Sequence, residues 1–233
     1  MNIKDSVILI TGGSSGLGKE TAKLLIEMGG KVAITGRDKS KLDTVAVDIG
    51  AFPIHADVSS DDDILRTYSD VISHFGKLDV LINNAGTGVH ENLENLSRDD
   101  FEYIFQINVF GAAMMSKHAA EIFKKHNGGT IVNIGSTSGL KGYEAGSVYS
   151  ASKFALRGLT QCMQAELRCH NIRVILVNPS YVPTAFGSKD RSPRAEEDNK
   201  LSSTEIAHTI VSSLTMDDRG MIPEVSIWAT NPW

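Results

Sequence analysis

Short runs of β-branched and aliphatic residues, such as Val7-Ile8-Leu9-Ile10 and Val80-Leu81-Ile82, recur between longer stretches whose apolar residues repeat at helical spacing. Strands that are apolar throughout are buried on both faces, and strands separated by helices are joined by crossovers. The pattern therefore predicts a parallel sheet with helices on each side. Strands are expected near residues 6–11, 31–35, 52–55, 78–83, 130–134, 173–177 and 224–229, and helices near 17–28, 39–47, 61–74, 98–125, 148–169 and 203–214. The expected fold class is α/β: one doubly wound domain over residues 1–233, with a seven-stranded, mainly parallel sheet. No repeat or Pro/Gly/Ser-rich linker marks a boundary. Residues 180–200 stand apart, because the period is lost, Pro183 and Pro193 intervene, and charges crowd from residue 189 to 198. That segment reads as a solvated loop or as a lid over a substrate.

Charge and cysteine content narrow the function class. Lys plus Arg number 23 against 28 Asp plus Glu, a formal charge of −5, without the basic excess that a phosphate backbone attracts. Nucleic acid is thus not an expected partner. No apolar run approaches the roughly 18 residues of a membrane span. Residues 1–5 carry no signal-peptide pattern, so the chain reads as cytoplasmic. Cys162 and Cys169 share one helical pattern roughly 10 Å apart, too far to bridge, and are expected as small core thiols. None of the seven histidines pairs with another at metal-ligand spacing, so no metal site is expected.

The first strand runs directly into Thr11-Gly12-Gly13-Ser14-Ser15-Gly16-Leu17-Gly18, and a helix follows. A strand-to-helix turn of this kind aims backbone N–H groups and a helix N-terminus at a pyrophosphate. Gly12 suits the tight turn, Gly16 the approach to phosphate, and Gly18 the packing of helix on sheet. The run from Gly13 to Lys19 nearly spells a P-loop, but Glu20 stands where a magnesium-binding hydroxyl is needed, which excludes a nucleotidase. About 20 residues beyond the glycines, at the end of the second strand, the chain should meet the adenosine ribose. Arg37 stands there and offers a guanidinium fork to a 2′-phosphate, favouring NADP(H) over NAD(H). Asp38 would set a carboxylate near the ribose if the strand ran one residue further, and otherwise caps the following helix.

Tyr149 and Lys153 lie four residues apart on one helix face, so a lysine ammonium is expected beside the phenol, lowering its pKa from about 10 toward a usable proton donor. Ser136 follows the strand near 130–134, at the C-terminal edge where parallel sheets bind ligands. Ser138 is a second hydroxyl beside it. Asn108 interrupts an apolar stripe that includes Ile104 and Ala112, and a buried amide needs a hydrogen-bond partner.

With these residues the chain resembles the short-chain dehydrogenase/reductase family over essentially its whole length. The motifs occur in the family's order: the glycine-rich turn, Asp57, Asn83-Asn84-Ala85-Gly86, Asn108, Ser136, Tyr149 with Lys153, and Asn178-Pro179. The resemblance implies a Rossmann-type fold and hydride transfer between a nicotinamide and a carbonyl or secondary alcohol. In it Tyr149 is the general acid or base, Ser136 polarises the substrate oxygen, Lys153 holds the nicotinamide ribose and tunes Tyr149, and Asn108 anchors a relay water. It places Asp57 at adenine, Asn84, Ala85 and Gly86 along the cleft, and Val182 and Thr184 at the carboxamide. Ser14, Ser15, Leu17, Val58 and Pro179 complete the expected cofactor-binding set.

One departure is visible, because Ser180 follows Pro179 where the family commonly has glycine. Tyr143, Tyr181 and Phe186 are candidate pocket walls. The tail beyond Ile222 resembles carbonyl reductases and hydroxy-acid dehydrogenases more than 3-oxoacyl-carrier-protein reductases. The latter, and a non-catalytic dinucleotide-binding regulator, are the alternatives. Ile107, Phe110 and Met114 fall outside one helix face and suggest a homodimer or homotetramer acting on a small-molecule substrate.

Overall fold

A computed structural model describes residues 1–186, 194–195 and 197–233. The strands are β1 (Val7–Ile10), β2 (Lys31–Gly36), β3 (Phe52–His55), β4 (Val80–Asn83), β5 (Gly129–Ile134), β6 (Ile172–Pro179) and β7 (Glu224–Ile227). They form one sheet in the order β3-β2-β1-β4-β5-β6-β7, with every neighbouring pair parallel. The helices between them are α1 (Gly16–Glu27), α2 (Lys39–Ile49), α3 (Asp61–Phe75), α4 (Arg98–Phe105), α5 (Ala112–His126), α6 (Ser147–Leu167) and α7 (Ser203–Thr215). The seven-stranded α/β expectation is met, and the last strand is shorter than expected. Among the described residues no helix is long and apolar enough to cross a membrane.

Alternation along each strand builds two cores. Ile8 and Ile10 face one side with Leu25, Leu42 and Ile210, whereas Val7 and Leu9 face the other with Ile64, Met115 and Phe123. Local signals set the helix ends. Asp38 accepts from Lys41 N at the start of α2, which closes at Gly50 in the left-handed region. Ser97 with Asp100 opens α4 as a capping box, and Ser202 with Glu205 does so for α7.

Three expectations are corrected. The helix expected over residues 98–125 is interrupted by a π-helical turn, Gln106–Gly111. Asn108 lies in that turn, and its amide, needing polar partners, is held by another loop. Cys162 and Cys169 are exposed rather than in the core. The inward stripe of α6 runs through Leu156, Thr160, Met163 and Leu167, and both cysteines fall off that phase. Ile107 is buried, which leaves Phe110, half exposed, as the outward apolar residue of that turn. Most of the charged run in the 180–200 segment, residues 187–193 and Glu196, lies outside the described residues.

Candidate active site

The strand order reverses between β1 and β4, and the crevice at their C-terminal ends is where open parallel sheets take ligands. The turn after β1 is shaped by close approach. Gly12 has φ +67°, and a Cβ there would fall 3.0 Å from the Ala85 backbone. A Cβ on Gly18 would fall 2.5 Å from the Asn84 amide and 2.6 Å from Gly12 O, so only glycine lets α1 sit this close. Asn84 braces the turn, its Nδ2 donating to Thr11 O and Gly12 O at 2.9 and 3.0 Å. Thr11 Oγ1 in turn accepts from Asn84 N and Ala85 N. Ser15 opens α1 without a side-chain cap, and no acidic residue occupies the first turn. The N-terminus of α1 thus presents backbone donors to an anion, and its residues fit a dinucleotide pyrophosphate.

Of the other expected binding residues, Thr184 is brought against that turn and the rest lie on neighbouring elements. Thr184 lies 3.5 Å from where a Gly16 Cβ would be, Val182 packs against the core, and Pro179 ends β6. Ser180 has no positive φ, and its N–H is held by Ile227 O at 2.8 Å, so the loss of the family glycine imposes no strain there. Val58 packs under Gly111. At the end of β2, a Cβ on Gly36 would fall 3.1 Å from Ser14 Oγ, which brings Ser14 and Arg37 to one place. Arg37 Nη1 lies 3.7 Å from Asp57 Oδ2, and Asp57 Oδ1 accepts from the Ser59 N–H and hydroxyl. Asp38 is occupied as a helix cap, so the charge carried by the strand end itself is the Arg37 guanidinium, which faces Asp57.

The loop after β5 and the first turns of α6 supply the reactive groups. Ser136 begins a short 3₁₀ turn, Thr137–Gly139, its Oγ accepts from Ser138 N at 3.1 Å, and its hydroxyl acts on the Tyr149 phenol, lowering its pKa. Lys153 is buried and its Nζ donates to Ile134 O at 2.8 Å, 5.8 Å from the Tyr149 ring centre. Burial pushes the Tyr149 pKa up to about 12, against the smaller lowering by the Ser136 hydrogen bond, and burial pushes Lys153 down to about 8. This reverses the expected sign at Tyr149. Desolvation dominates, and the Lys153 ammonium is turned to the Ile134 carbonyl. The phenol therefore holds its proton firmly at neutral pH. Asn108 does not reach Lys153. Its Oδ1 accepts from Thr87 N at 2.9 Å, and its Nδ2 donates to Thr87 O at 2.9 Å and Ser152 Oγ at 3.0 Å.

His90 was not singled out from the sequence. Its ring lies 5.5 Å from that of Tyr149, edge to face, and its Nδ1 is 2.9 Å from the Tyr143 hydroxyl. Burial, then the charge of Arg194, lowers its pKa, so it is neutral at pH 7. Phe186 lies 5.5 Å from Tyr149 on another side. These rings wall the space above the phenol. The one signal pointing to His90 is its position in the loop after β4, on the ligand side of the sheet.

Comparison with known proteins agrees with this arrangement. The family model described as short chain dehydrogenase matches residues 6–195. An uncharacterized oxidoreductase of Thermotoga maritima is 40% identical over 185 residues, 77% of this chain and 72% of that one. Among solved structures, an alcohol dehydrogenase from the archaeon Thermococcus sibiricus complexed with 5-hydroxy-NADP superposes with TM-score 0.89 at 27% identity, covering 97% of each chain. A 3-ketoacyl-(acyl-carrier-protein) reductase from Brucella melitensis complexed with NADH gives 0.88 at 27% identity, over 99% of this chain and 100% of that one. With its parallel sheet, glycine-rich turn and Ser136–Tyr149–Lys153 cluster, the chain belongs to the short-chain dehydrogenase family and is an oxidoreductase.

Proposed function

We propose that this enzyme is an NADP(H)-dependent carbonyl reductase or hydroxy-acid dehydrogenase, interconverting a carbonyl and a secondary alcohol. The observation that carries the reading is the buried Tyr149 ring with Lys153 Nζ 5.8 Å from its centre and the Ser136 hydroxyl acting on its phenol, in a chain that also has the glycine-rich turn. Arg37 and Ser14 at the end of β2 support the 2′-phosphate form of the cofactor.

Bound NADPH supplies the hydride that adds to the carbonyl carbon. Tyr149 gives its proton to the carbonyl oxygen, and its high pKa keeps that proton in place until the oxygen becomes basic. Ser136 donates a hydrogen bond to the same oxygen as its charge grows. Lys153 is still mainly protonated at pH 7, because its pKa is about 8, and its Nζ, 5.8 Å from the ring centre, puts a cation beside the phenolate left behind. Asn108 steadies the site through Ser152, whose hydroxyl donates to Tyr149 O at 2.7 Å. Since its side chain is spent on Thr87 and Ser152, any water it anchors is held by its main chain. Assembly as a homodimer or homotetramer belongs to the same reading, supported by Phe110 and Phe154, exposed at 50% and 44%.

The test is a panel of aliphatic, cyclic and aryl ketones, 2- and 3-oxo acids and a 3-oxoacyl thioester, assayed with NADPH and NADH by loss of reduced-cofactor absorbance. At least one ketone or oxo acid should turn over, and faster with NADPH. Cofactor binding with no turnover on any member would favour the non-catalytic regulator instead.

A further inference from the structure

Arg157 continues the face of α6 that carries Tyr149 and Lys153, because residues 149, 153 and 157 follow one another by a helical turn. It reaches β7, where its Nε donates to both carboxylate oxygens of Glu224, at 3.0 and 3.1 Å. Glu224 Oε1 also accepts from Asn178 Nδ2 at 2.9 Å. One carboxylate therefore holds a guanidinium from the helix and an amide from β6. Strand register puts them there. Glu224 lies opposite Leu176, and Asn178, two residues on, shares its face of the sheet.

The other end of the Asn178 amide meets the loop of Ser136. A Cβ on Gly135 would fall 2.2 Å from Asn178 Oδ1, so the amide oxygen fills the space over Gly135. The Gly135 N–H is tied to Val177 O at 2.8 Å, and Ser136 follows directly. Asn178 is buried, and Glu224 sets its orientation. Flipping the amide would turn its oxygen toward a carboxylate.

We infer that Glu224 is a positioning residue: anchored to the helix of Tyr149 and Lys153 by Arg157, it holds the Gly135–Ser136 corner in place through Asn178. It thereby sets the spacing between the two halves of the active site. The kinetic consequence rests on the function proposed above, whereas the bridge itself does not. The pair is partly exposed, with side chains at 36% and 26%, and pairs of that kind add little to global stability. Gln164 separately ties α6 to Val174 O and Pro223 O, at 3.0 and 2.8 Å, so the helix stays docked without Arg157. Loss of Glu224 should loosen the corner and leave the fold standing.

The experiment compares amide hydrogen exchange in the cofactor-free protein with turnover of the fastest panel ketone, for wild type, Glu224→Ala and Glu224→Gln. In Glu224→Ala, amides 135–140 should exchange about tenfold faster and turnover should fall about 10- to 100-fold, the scale of a slight misplacement of reacting groups. NADPH affinity, from fluorescence titration, should stay within about threefold. On a Ser136→Ala background the same substitution should cost less than about threefold more, because its effect passes through Ser136. Glu224→Gln keeps an acceptor for Asn178 but loses the charge facing Arg157, so both effects should shrink to about two- to fivefold. That variant carries the test if Glu224→Ala does not fold. Unchanged exchange at 135–140, or a loss that multiplies in full on Ser136→Ala, would overturn the inference. Tyr149→Phe runs alongside as a separate arm. Near-normal turnover there would sink the catalytic reading, and the exchange result alone would then decide the bridge.

Discussion

Replacing Arg37 by Ala tests the cofactor reading most sharply, because the structure isolates this side chain from its rivals. Asp38 is spent capping α2, and Ser14 Oγ approaches Gly36, the residue before Arg37. A guanidinium bonded to a phosphate is worth about 1.5–3 kcal/mol as a charge-assisted contact. Arg37 is 38% exposed and already faces Asp57 at 3.7 Å, so part of that is screened and part competes with an existing partner. At 1.36 kcal/mol per tenfold, the range corresponds to a loss of about 10- to 150-fold in NADPH affinity, with the lower half expected. NADH lacks the 2′-phosphate and should bind within about twofold of wild type. Arg37→Lys should fall between, because an ammonium keeps the charge and loses the fork. The assay is fluorescence titration of each variant with both reduced cofactors, with a denaturation curve to show that stability is unchanged. Tighter NADH than NADPH binding in the wild type, or equal losses of both in Arg37→Ala, would refute the reasoning.

Three further outcomes follow from the same geometry. Gly18→Ala should destabilise the protein by about 1–3 kcal/mol in urea and weaken NADPH and NADH alike, because its Cβ would fall 2.6 Å from Gly12 O. Asp38→Ala should cost about 1 kcal/mol for the lost cap and leave the NADPH-to-NADH affinity ratio unchanged; a shifted ratio would return Asp38 to the ribose. Lys153, pushed from 10.5 down to about 8, should make stability rise with pH. Between those values the unfolded chain binds a proton that the folded one does not, so this contribution is gained as pH rises from about 8 toward 10.5 and is lost again as pH falls back to about 8. Urea midpoints at several pH values across that interval should show the slope in wild type and a flatter one in Lys153→Met.

The sheet was legible because buried parallel strands must be apolar on both faces, and Val80-Leu81-Ile82 can be little else. The glycine turn was legible because Gly12 and Gly18 sit where any side chain would collide with Asn84, Ala85 or Gly12 itself. What spacing could not convey was depth. The i,i+4 pair of Tyr149 and Lys153 shows adjacency, but the sign of the phenol's shift depends on burial, which the sheet, α6 and the loop of Ser136 create together. The π turn at Asn108 escaped for a related reason, since the stripe through Ile104 and Ala112 keeps helical phase on either side and the partner, Thr87, lies in another loop. His90 carries no motif. Asn178 and Glu224 are 46 residues apart and meet only through strand register.

The central claim is that Tyr149 delivers the proton. Its most direct test is pre-steady-state NADPH oxidation by Tyr149→Phe with the fastest panel ketone. Phenylalanine keeps the ring against His90 and Phe186 and removes the hydroxyl alone. NADPH affinity within about threefold of wild type and a rate lower by about 10²–10⁴-fold, the usual worth of a positioned general acid, is the predicted result. A rate within about tenfold of wild type, with cofactor bound normally, would contradict it.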